Sequence, residues 1–184
     1  LIEDDRIAAL GAIPEGRVSD SDPELTTIEA TGKIVCPGFI DMHAHSDFSI
    51  PTEGGMPEKI RQGFTTVVMG SCGFSAAPAN ELFRRNFRRF ATGMFGPECA
   101  LEWDTMGNYL DMLRARGTAA NIVPQVGFSN LKLMTTGMMP RAANAAQIEK
   151  MKSLLSQALD EGARGFSTGL AYPPQRFSTT HEVR

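Results

Sequence analysis

The sequence predicts an α/β fold built on a parallel sheet, and two observations lead to this prediction. From residue 36 onward, short and nearly continuous apolar strands alternate with longer helical stretches. Three of the helical stretches end in a glycine a few residues before the next strand, as a helix C-cap does. Continuous apolar strands are typical of parallel sheets covered on both faces, and helices then supply the right-handed crossovers.

Residues 1–35 precede this pattern and predict a separate, smaller β region. Strand-like alternation is broken by glycines, prolines and a polar stretch, and it resumes at Thr26–Ala30 and Lys33–Val35. The chain begins without methionine in a strand-like stretch, and its last residues are typical of a helix cap and a first helical turn. We therefore expect both ends to be cut, so that the chain is an N-terminal piece of a longer protein.

Four strands and three helices are predicted from residue 36 to the end. The predicted strands are Gly38–Met42, Thr65–Met69, Ala120–Val126 and Gly165–Thr168. The predicted helices are Pro57–Gln62, Met106–Arg116 and Ala145–Glu161, followed by Gly63, Gly117 and Gly162. The last helix has the clearest pattern, because its apolar residues recur at helical spacing with polar residues between them.

The stretch from residue 80 to residue 104 is long for a connection. It contains a basic aromatic cluster at residues 83–90 and the single tryptophan, Trp103. An amphipathic helix with arginines facing solvent is the favoured interpretation, and a site for an acidic group is the alternative.

Composition excludes several classes of function. The 184 residues, 42 % of them hydrophobic, are enough for an ordinary domain with a sizeable core. With 18 basic and 21 acidic residues the net charge is −3, so nucleic acid is not an expected partner. No apolar run approaches the ~20 residues needed to span a bilayer, and no export signal is visible. Three cysteines form neither a disulfide framework nor a zinc ribbon, so a cytoplasmic protein is expected.

Two of the three histidines lie one residue apart in the segment GFIDMHAHSDFSI, residues 38–50. Alternate residues of a strand point to the same side, so His43 and His45 project together and can bind one metal ion. In a parallel barrel the carboxyl ends of the strands are where loops build the active site. Asp41 and Asp47 could orient the imidazoles or take part in the chemistry. A chance surface pair is the alternative, which the preceding apolar strand disfavours.

A cysteine follows the next predicted strand in the same manner. The segment TTVVMGSCG, residues 65–73, places Cys72 between Gly70 and Gly73. A thiolate at this strand end would be a good ligand for Zn²⁺. A buried, inert thiol is the alternative, and it is the interpretation we favour for Cys36 and Cys99. The two glycines have no side chains that could bury the Cys72 sulfur, which favours a metal ligand there.

Three segments of the chain resemble the N-acyl-D-amino-acid deacylase (D-aminoacylase) family of the amidohydrolase superfamily. They are GFIDMHAHSD at residues 38–47, TTVVMGSCG at residues 65–73 and GARGFSTGLAYPP at residues 162–174. The first motif is shared across the superfamily, and the other two are more specific. The resemblance implies a TIM-type barrel of eight βα units, of which residues 36–184 supply about the first half. It also implies that residues 1–35 belong to a small β-sandwich domain.

The same resemblance implies a zinc-dependent hydrolase that removes the acyl group from N-acyl-D-amino acids. His43 and His45 match metal-binding histidines after the first barrel strand, and Cys72 matches a cysteine ligand after the second, with one or two zinc ions. Tyr172 matches a tyrosine near the substrate pocket. The family's remaining histidine ligands and its catalytic aspartate have no counterpart in this chain, so the piece alone is expected to be inactive. His181 lies in a predicted helix cap and is not expected to be a ligand.

One position departs from the family pattern, and two other functions stay open. Where such proteins commonly show V-G-H-S after the third strand, the chain has phenylalanine at position 128, so any polar role of that histidine is absent. One alternative is another amidohydrolase of hydantoinase or dihydroorotase type. Such enzymes usually bridge two metal ions with a carboxylated lysine, and no lysine ends the fourth predicted strand, so this alternative is disfavoured. The other is a non-catalytic scaffold that keeps the fold. The rest of the barrel is expected from another segment, a partner chain or a self-paired dimer.

Overall fold

A computed structural model describes residues 1–4, 6–19, 21–53, 55–87 and 101–184. The chain divides into two compact units, Leu1–Pro37 and Gly38–Arg184. None of the helices in these ranges is both long enough and apolar enough to cross a membrane.

The first unit contains a small antiparallel pair of strands, β1 at Ile2–Glu3 and β2 at Arg6–Ile7. The strands predicted at Thr26–Ala30 and Lys33–Val35 are wrong, because these residues have no strand structure. A strand forms only with a hydrogen-bonded neighbour, and the described part of this unit gives these segments none. Membership of a β-sandwich stays a prediction.

Cys36 lies near the end of the first unit and is exposed, so its predicted burial is wrong. It belongs to an irregular stretch, residues 33–38, in which every residue is exposed. Cys99 lies outside the described residues.

The second unit is built on a four-stranded parallel sheet, as the sequence predicts. Its strands, in the order in which they pair, are β3 at Phe39–Ala44, β4 at Phe64–Met69, β5 at Asn121–Gly127 and β6 at Gly165–Ser167. Strand β3 extends two residues beyond its predicted end because Ala44 still pairs with Met69 of β4. Consecutive strands are therefore neighbours, and all four carboxyl ends meet at one edge of the sheet.

Seven helices accompany this sheet within the described ranges. They are α1 at Ile50–Glu53, α2 at Pro57–Ile60, α3 including residues 81–87, α4 at Met106–Arg116, α5 at Phe128–Thr135, α6 at Ala145–Asp160 and α7 at Thr180–Val183. Helix α2 is shorter than predicted, because the amides of Gln62 and Gly63 donate to carbonyls three residues back and tighten the turn. Helix α5 lies outside the predicted helices, because no side-chain cap marks its start.

Capping side chains explain where the longest helices and the last helix begin. The Thr105 hydroxyl accepts a hydrogen bond from the Asn108 amide at the start of α4. Asn144 and Gln147 form a reciprocal capping box at the start of α6. Thr179 and Glu182 form another at α7, which confirms the cap predicted around His181.

A continuous apolar core lies between the sheet and the helices. It includes aromatic rings of α3 and α4 and buried side chains of every one of the strands β3 to β5, among them Val67, Val126, Phe83, Phe87 and Tyr109. Strand β3, the first strand of the parallel sheet, is less covered than the other three. Its residues Phe39, Ile40 and Met42 are 54 %, 56 % and 69 % exposed.

The basic aromatic cluster begins in α3, where Phe83 and Phe87 are buried and Arg85 is exposed, as expected of an amphipathic helix. The Arg84 guanidinium donates to the carbonyl oxygens of Leu101 at 2.8 Å and Trp103 at 2.7 Å, and it pairs with Asp104. Arg84 therefore fastens the segment that precedes α4. Residues 88–90, the rest of the cluster, lie outside the described residues.

Candidate metal centre

Three side chains that the sequence nominates as metal ligands meet at the carboxyl ends of β3 and β4. His43 belongs to β3 and His45 directly follows it, while Cys72 lies in a short 3-10 turn, Ser71–Gly73, after β4. The Nε2 atom of His43 is 3.2 Å from the Sγ atom of Cys72. One possible ligand atom from each residue lies within 4.8 Å of the others, and the described residues contain no other group of this kind.

This arrangement fits a single zinc ion. With Zn–N bonds of about 2.0 Å and Zn–S bonds of about 2.3 Å, tetrahedral geometry separates the nitrogen and the sulfur by about 3.6 Å. The observed 3.2 Å between His43 and Cys72 is close to that value. The two imidazole rings meet edge to face with centroids 5.6 Å apart, and a ring nitrogen of each lies within 4.8 Å of the other's. Two nitrogens and one thiolate are a donor set that suits zinc.

Asp41 supports the backbone of the histidine pair. Its Oδ1 accepts a hydrogen bond from the His43 backbone amide at 3.1 Å, and its Oδ2 accepts one from Lys59 Nζ at 2.5 Å. The hydrogen bond from Lys59 holds the pKa of Asp41 below its ordinary value. The carboxylate therefore stays ionised and fixes the strand that carries His43.

His45 and Asp47 occupy a drier environment. Burial, followed by the charge of His43, lowers the pKa of His45, which favours the neutral imidazole that binds metal ions. Asp47 is fully buried, and its Oδ2 accepts a hydrogen bond from the Ala76 amide at 2.9 Å. Burial raises the pKa of Asp47 to about 7. Asp47 thus joins the segment after β3 to the loop after β4.

The Cys72 turn has an unusual backbone. Cys72 has φ 56° and ψ 20°, in the left-handed region that residues other than glycine rarely adopt. Gly70 before it also has positive φ, and a Cβ atom there would lie 2.3 Å from the carbonyl oxygen of Gln125. A non-glycine residue held in this region costs about 1–3 kcal/mol, and such residues cluster at functional sites.

The structure places the remaining nominated residues as follows. Tyr172 is 40 % exposed, and its ring packs edge to face on Phe74, beside the Cys72 turn. Phe128, at the position where the family pattern has histidine, is buried against Phe166 with ring centroids 5.8 Å apart. It belongs to the apolar core and offers no polar group. His181 lies in α7, outside the ligand cluster.

Sequence reasoning missed two side chains that contact the Cys72 turn. Ser167, at the end of β6, accepts a hydrogen bond from the Gly73 amide at 3.0 Å. Gln175, in the 3-10 turn Gln175–Phe177, donates to the Cys72 carbonyl at 3.1 Å. These contacts span 94 and 103 residues, so no local pattern could have indicated them.

Comparison with known proteins then identifies the family. Residues 26–179 match the family model described as the amidohydrolase family. The chain belongs to the amidohydrolase family. It is 36 % identical to a D-aminoacylase of Alcaligenes xylosoxydans xylosoxydans over 99 % of its own length and 36 % of the relative's.

Two solved structures extend this result to the fold. One is the N-acyl-D-glutamate deacylase of Bordetella bronchiseptica, complexed with zinc and a phosphonate inhibitor. The match covers 84 % of this chain and 31 % of the deacylase chain, with 39 % identity and a TM-score of 0.73. A D-aminoacylase with a binuclear metal centre matches 80 % of this chain and 30 % of its own, with 37 % identity and a TM-score of 0.67. The prediction of a TIM-type amidohydrolase barrel is confirmed, and β3 to β6 form about its first half. The chain spans about a third of the length of these relatives.

Proposed function

We propose that the full-length protein is a zinc-dependent amide hydrolase that removes the acyl group from N-acyl-D-amino acids. The observation that carries this proposal is the convergence of His43, His45 and Cys72 at the carboxyl edge of the sheet. Similarity to a D-aminoacylase and to an N-acyl-D-glutamate deacylase complexed with zinc supports the reaction and the metal.

In this proposal the three side chains hold one zinc ion, and residues outside this chain complete the site. Bound zinc activates a water molecule and polarises the substrate carbonyl. His43 and His45 bind as neutral imidazoles and Cys72 as a thiolate, while Tyr172 contributes to the substrate pocket beside the Cys72 turn. The proton-transferring aspartate is expected beyond this chain, so residues 1–184 alone are proposed to be inactive. A second zinc ion is an open part of the proposal, because one similar structure has a binuclear centre.

The rest of the barrel is proposed as the partner of this half. Strands β3 and β6 each have one neighbour in the described sheet, and β3 exposes Phe39, Ile40 and Met42. An exposed apolar strand with a free edge is a strong site for pairing with further strands. Another segment of the polypeptide or a partner chain would cover it. The cytoplasmic location is proposed from cysteine usage alone.

Two alternative functions have specific observations in their favour. Buried Phe128, at the position of the family's histidine, favours a non-catalytic scaffold. The H-x-H motif that is shared across the superfamily favours another amidohydrolase of hydantoinase or dihydroorotase type, although Cys72 supplies a ligand that such enzymes usually replace with a carboxylated lysine.

The decisive experiment measures zinc content and deacylase activity of the full-length protein with matched D and L N-acyl amino acids. We expect Cys72→Ala to lower zinc affinity and D-substrate activity by about 100-fold or more, since it removes a ligand. Cys36→Ala is the matched control, because Cys36 is exposed and outside the cluster. A folded, metal-free protein without deacylase activity would favour the scaffold, and hydrolysis of cyclic amides alone would favour the hydantoinase type.

A further inference from the structure

We propose that Gln175 is a positioning residue for Cys72, and that the segment from Ser167 to Gln175 holds the thiolate where a metal can bind it. This inference rests on the proposed function, because it takes Cys72 as a metal ligand. It assigns a task to residues 167–175, the end of the third family-like segment and the glutamine after it, which supply none of the three clustered ligand side chains.

The Gln175 side chain uses both ends of its amide on this part of the molecule. It is fully buried. Its Nε2 donates to the Cys72 carbonyl oxygen at 3.1 Å, and its Oε1 accepts from the Gly169 backbone amide at 2.7 Å. A buried amide that bridges two backbone groups fixes their separation, because loss of either bond leaves a buried polar group unsatisfied.

Two glycines allow the amide to approach this closely. A Cβ atom on Gly73 would lie 2.2 Å from Gln175 Oε1, and a Cβ atom on Gly169 would lie 2.2 Å from the Cys72 carbonyl oxygen. Both distances are far below a van der Waals contact. The turn after β4 and the loop after β6 are therefore packed backbone against backbone, with the Gln175 amide between them.

Ser167 holds the other side of the same turn. Its hydroxyl accepts from the Gly73 amide at 3.0 Å and donates to the Gly70 carbonyl oxygen. The backbone groups on both sides of Cys72 are thus bound by side chains that follow or end β6. No side chain of the turn Ser71–Gly73 takes part in these bonds.

These contacts matter for the metal site because of the Cys72 backbone. A cysteine at φ 56° keeps this conformation only when its surroundings impose it. The direction of the Sγ atom follows from that backbone, and the 3.2 Å approach to His43 Nε2 follows from the direction of Sγ. Without the Gln175 amide, the peptide between Cys72 and Gly73 keeps only its bond to Ser167, and we expect the sulfur to shift away from the imidazole.

The test uses Gln175→Met in the full-length protein, because methionine keeps the length and volume but makes neither hydrogen bond. Zinc affinity is measured by competition with a chromophoric chelator, and cobalt substitution reports the thiolate–metal charge-transfer band. We expect about 10–100-fold weaker zinc binding, as is usual for loss of a group that orients a ligand, and a weakened or shifted band. Gln157→Met is the matched control, because Gln157 is exposed on α6, and it should leave both readouts unchanged.

A second control separates positioning from general destabilisation. Ile148→Ala removes a buried side chain of α6 and lowers the melting temperature without touching the Cys72 turn. It should leave the cobalt spectrum as in the unmodified protein, whereas Gln175→Met changes it. If Gln175→Met does not fold, Gln175→Asn decides, because its shorter amide cannot reach both Cys72 and Gly169 and should weaken zinc binding in the same direction.

The outcomes distinguish this inference from the proposed function. If Cys72→Ala abolishes the charge-transfer band but the folded Gln175 variants keep unmodified affinity and spectrum, the positioning role is overturned and the metal site stands. If the unmodified protein shows no band that depends on Cys72, both proposals are overturned. A loss of affinity in the Gln175 variants with an unchanged spectrum in Ile148→Ala supports the positioning role.

Discussion

The histidine side of the candidate metal centre is held by a strand and one partly exposed charge pair, whereas the cysteine side is held by the fully buried Gln175 and the half-buried Ser167. His43 takes its position from β3 and from Asp41, which pairs with Lys59. Cys72 takes its position from Ser167 and Gln175, about a hundred residues later in the chain. Gln175 is completely buried, so changes on the cysteine side should cost more than changes on the histidine side.

Buried hydrogen bonds join the loop after the Cys72 turn to α5. Asn130 is fully buried, and its side chain binds the backbone of Ser75 in both directions and the carbonyl oxygen of Pro78. Two residues later, Lys132 donates to Ser178 and Glu182, both at 2.8 Å. The cysteine side of the site is thus part of one hydrogen-bonded region that reaches α7.

The largest effect is expected for Lys132→Met, which leaves the Glu182 carboxylate buried without its cation. Both side chains are completely buried. Removing one partner of such a pair costs about 3–5 kcal/mol in the free energy of unfolding. Urea unfolding of the full-length protein measures this loss. Lys152→Met is the control, since the Lys152–Glu149 pair is largely exposed and should contribute nothing measurable. Equal losses in the two variants would contradict the distinction.

Asn130→Ala comes next, with an expected loss of about 2–4 kcal/mol, because buried backbone groups around Ser75 lose their partners. Asn130 lies in α5 and holds the loop that follows the Cys72 turn, so we also expect weaker zinc binding. Asn108→Ala, at an exposed position of α4, is the control. Chemical denaturation and chelator competition measure the two quantities. A stable variant with unaltered zinc affinity would show that the loop after β4 does not depend on α5.

A pH series separates the charged part of this region from the neutral part. Burial alone would raise the pKa of Glu182, but hydrogen bonds from Lys132 and the Thr179 amide outweigh it and hold the pKa below its ordinary value. A depressed pKa contributes stability above the unfolded-state value of about 4.3, and this contribution is lost as pH falls through the folded-state value. The stability difference between the unmodified protein and Glu182→Gln should therefore shrink on acidification. A constant difference from about pH 7 to about pH 3 would contradict the linkage.

The same contrast explains which parts of the fold the sequence could predict. The four parallel strands and the helices α4 and α6 follow from local periodicity and from glycines at their ends, and the structure confirms them. The strands predicted at Thr26–Ala30 and Lys33–Val35 failed because pairing is not a local property. Helix α5 has no side-chain cap and therefore no starting signal.

The candidate site also has a part that local motifs predict and a part that depends on tertiary contacts. His43 and His45 were found because strand alternation aims both side chains to one side, which a short motif reveals. Cys72 was found through the glycines around it. Gln175 could not be found, because its role depends on a contact with Cys72 across the sheet that no spacing in the sequence encodes. Motifs therefore locate the candidate ligands, and only the tertiary structure shows what holds them.

The smallest effect is expected for Lys59→Met on the histidine side. The side chains of Lys59 and Asp41 are 21 % and 17 % exposed, so water partly screens the pair and its loss should cost about 0.5–1 kcal/mol. Asp41 keeps its hydrogen bond to the His43 amide, and zinc affinity should fall less than in Gln175→Met. Lys150→Met, exposed on α6, is the control for loss of one positive charge. If Lys59→Met weakens zinc binding more than Gln175→Met does, the hydrogen bonds on the histidine side contribute more to the site than those on the cysteine side, which contradicts the comparison.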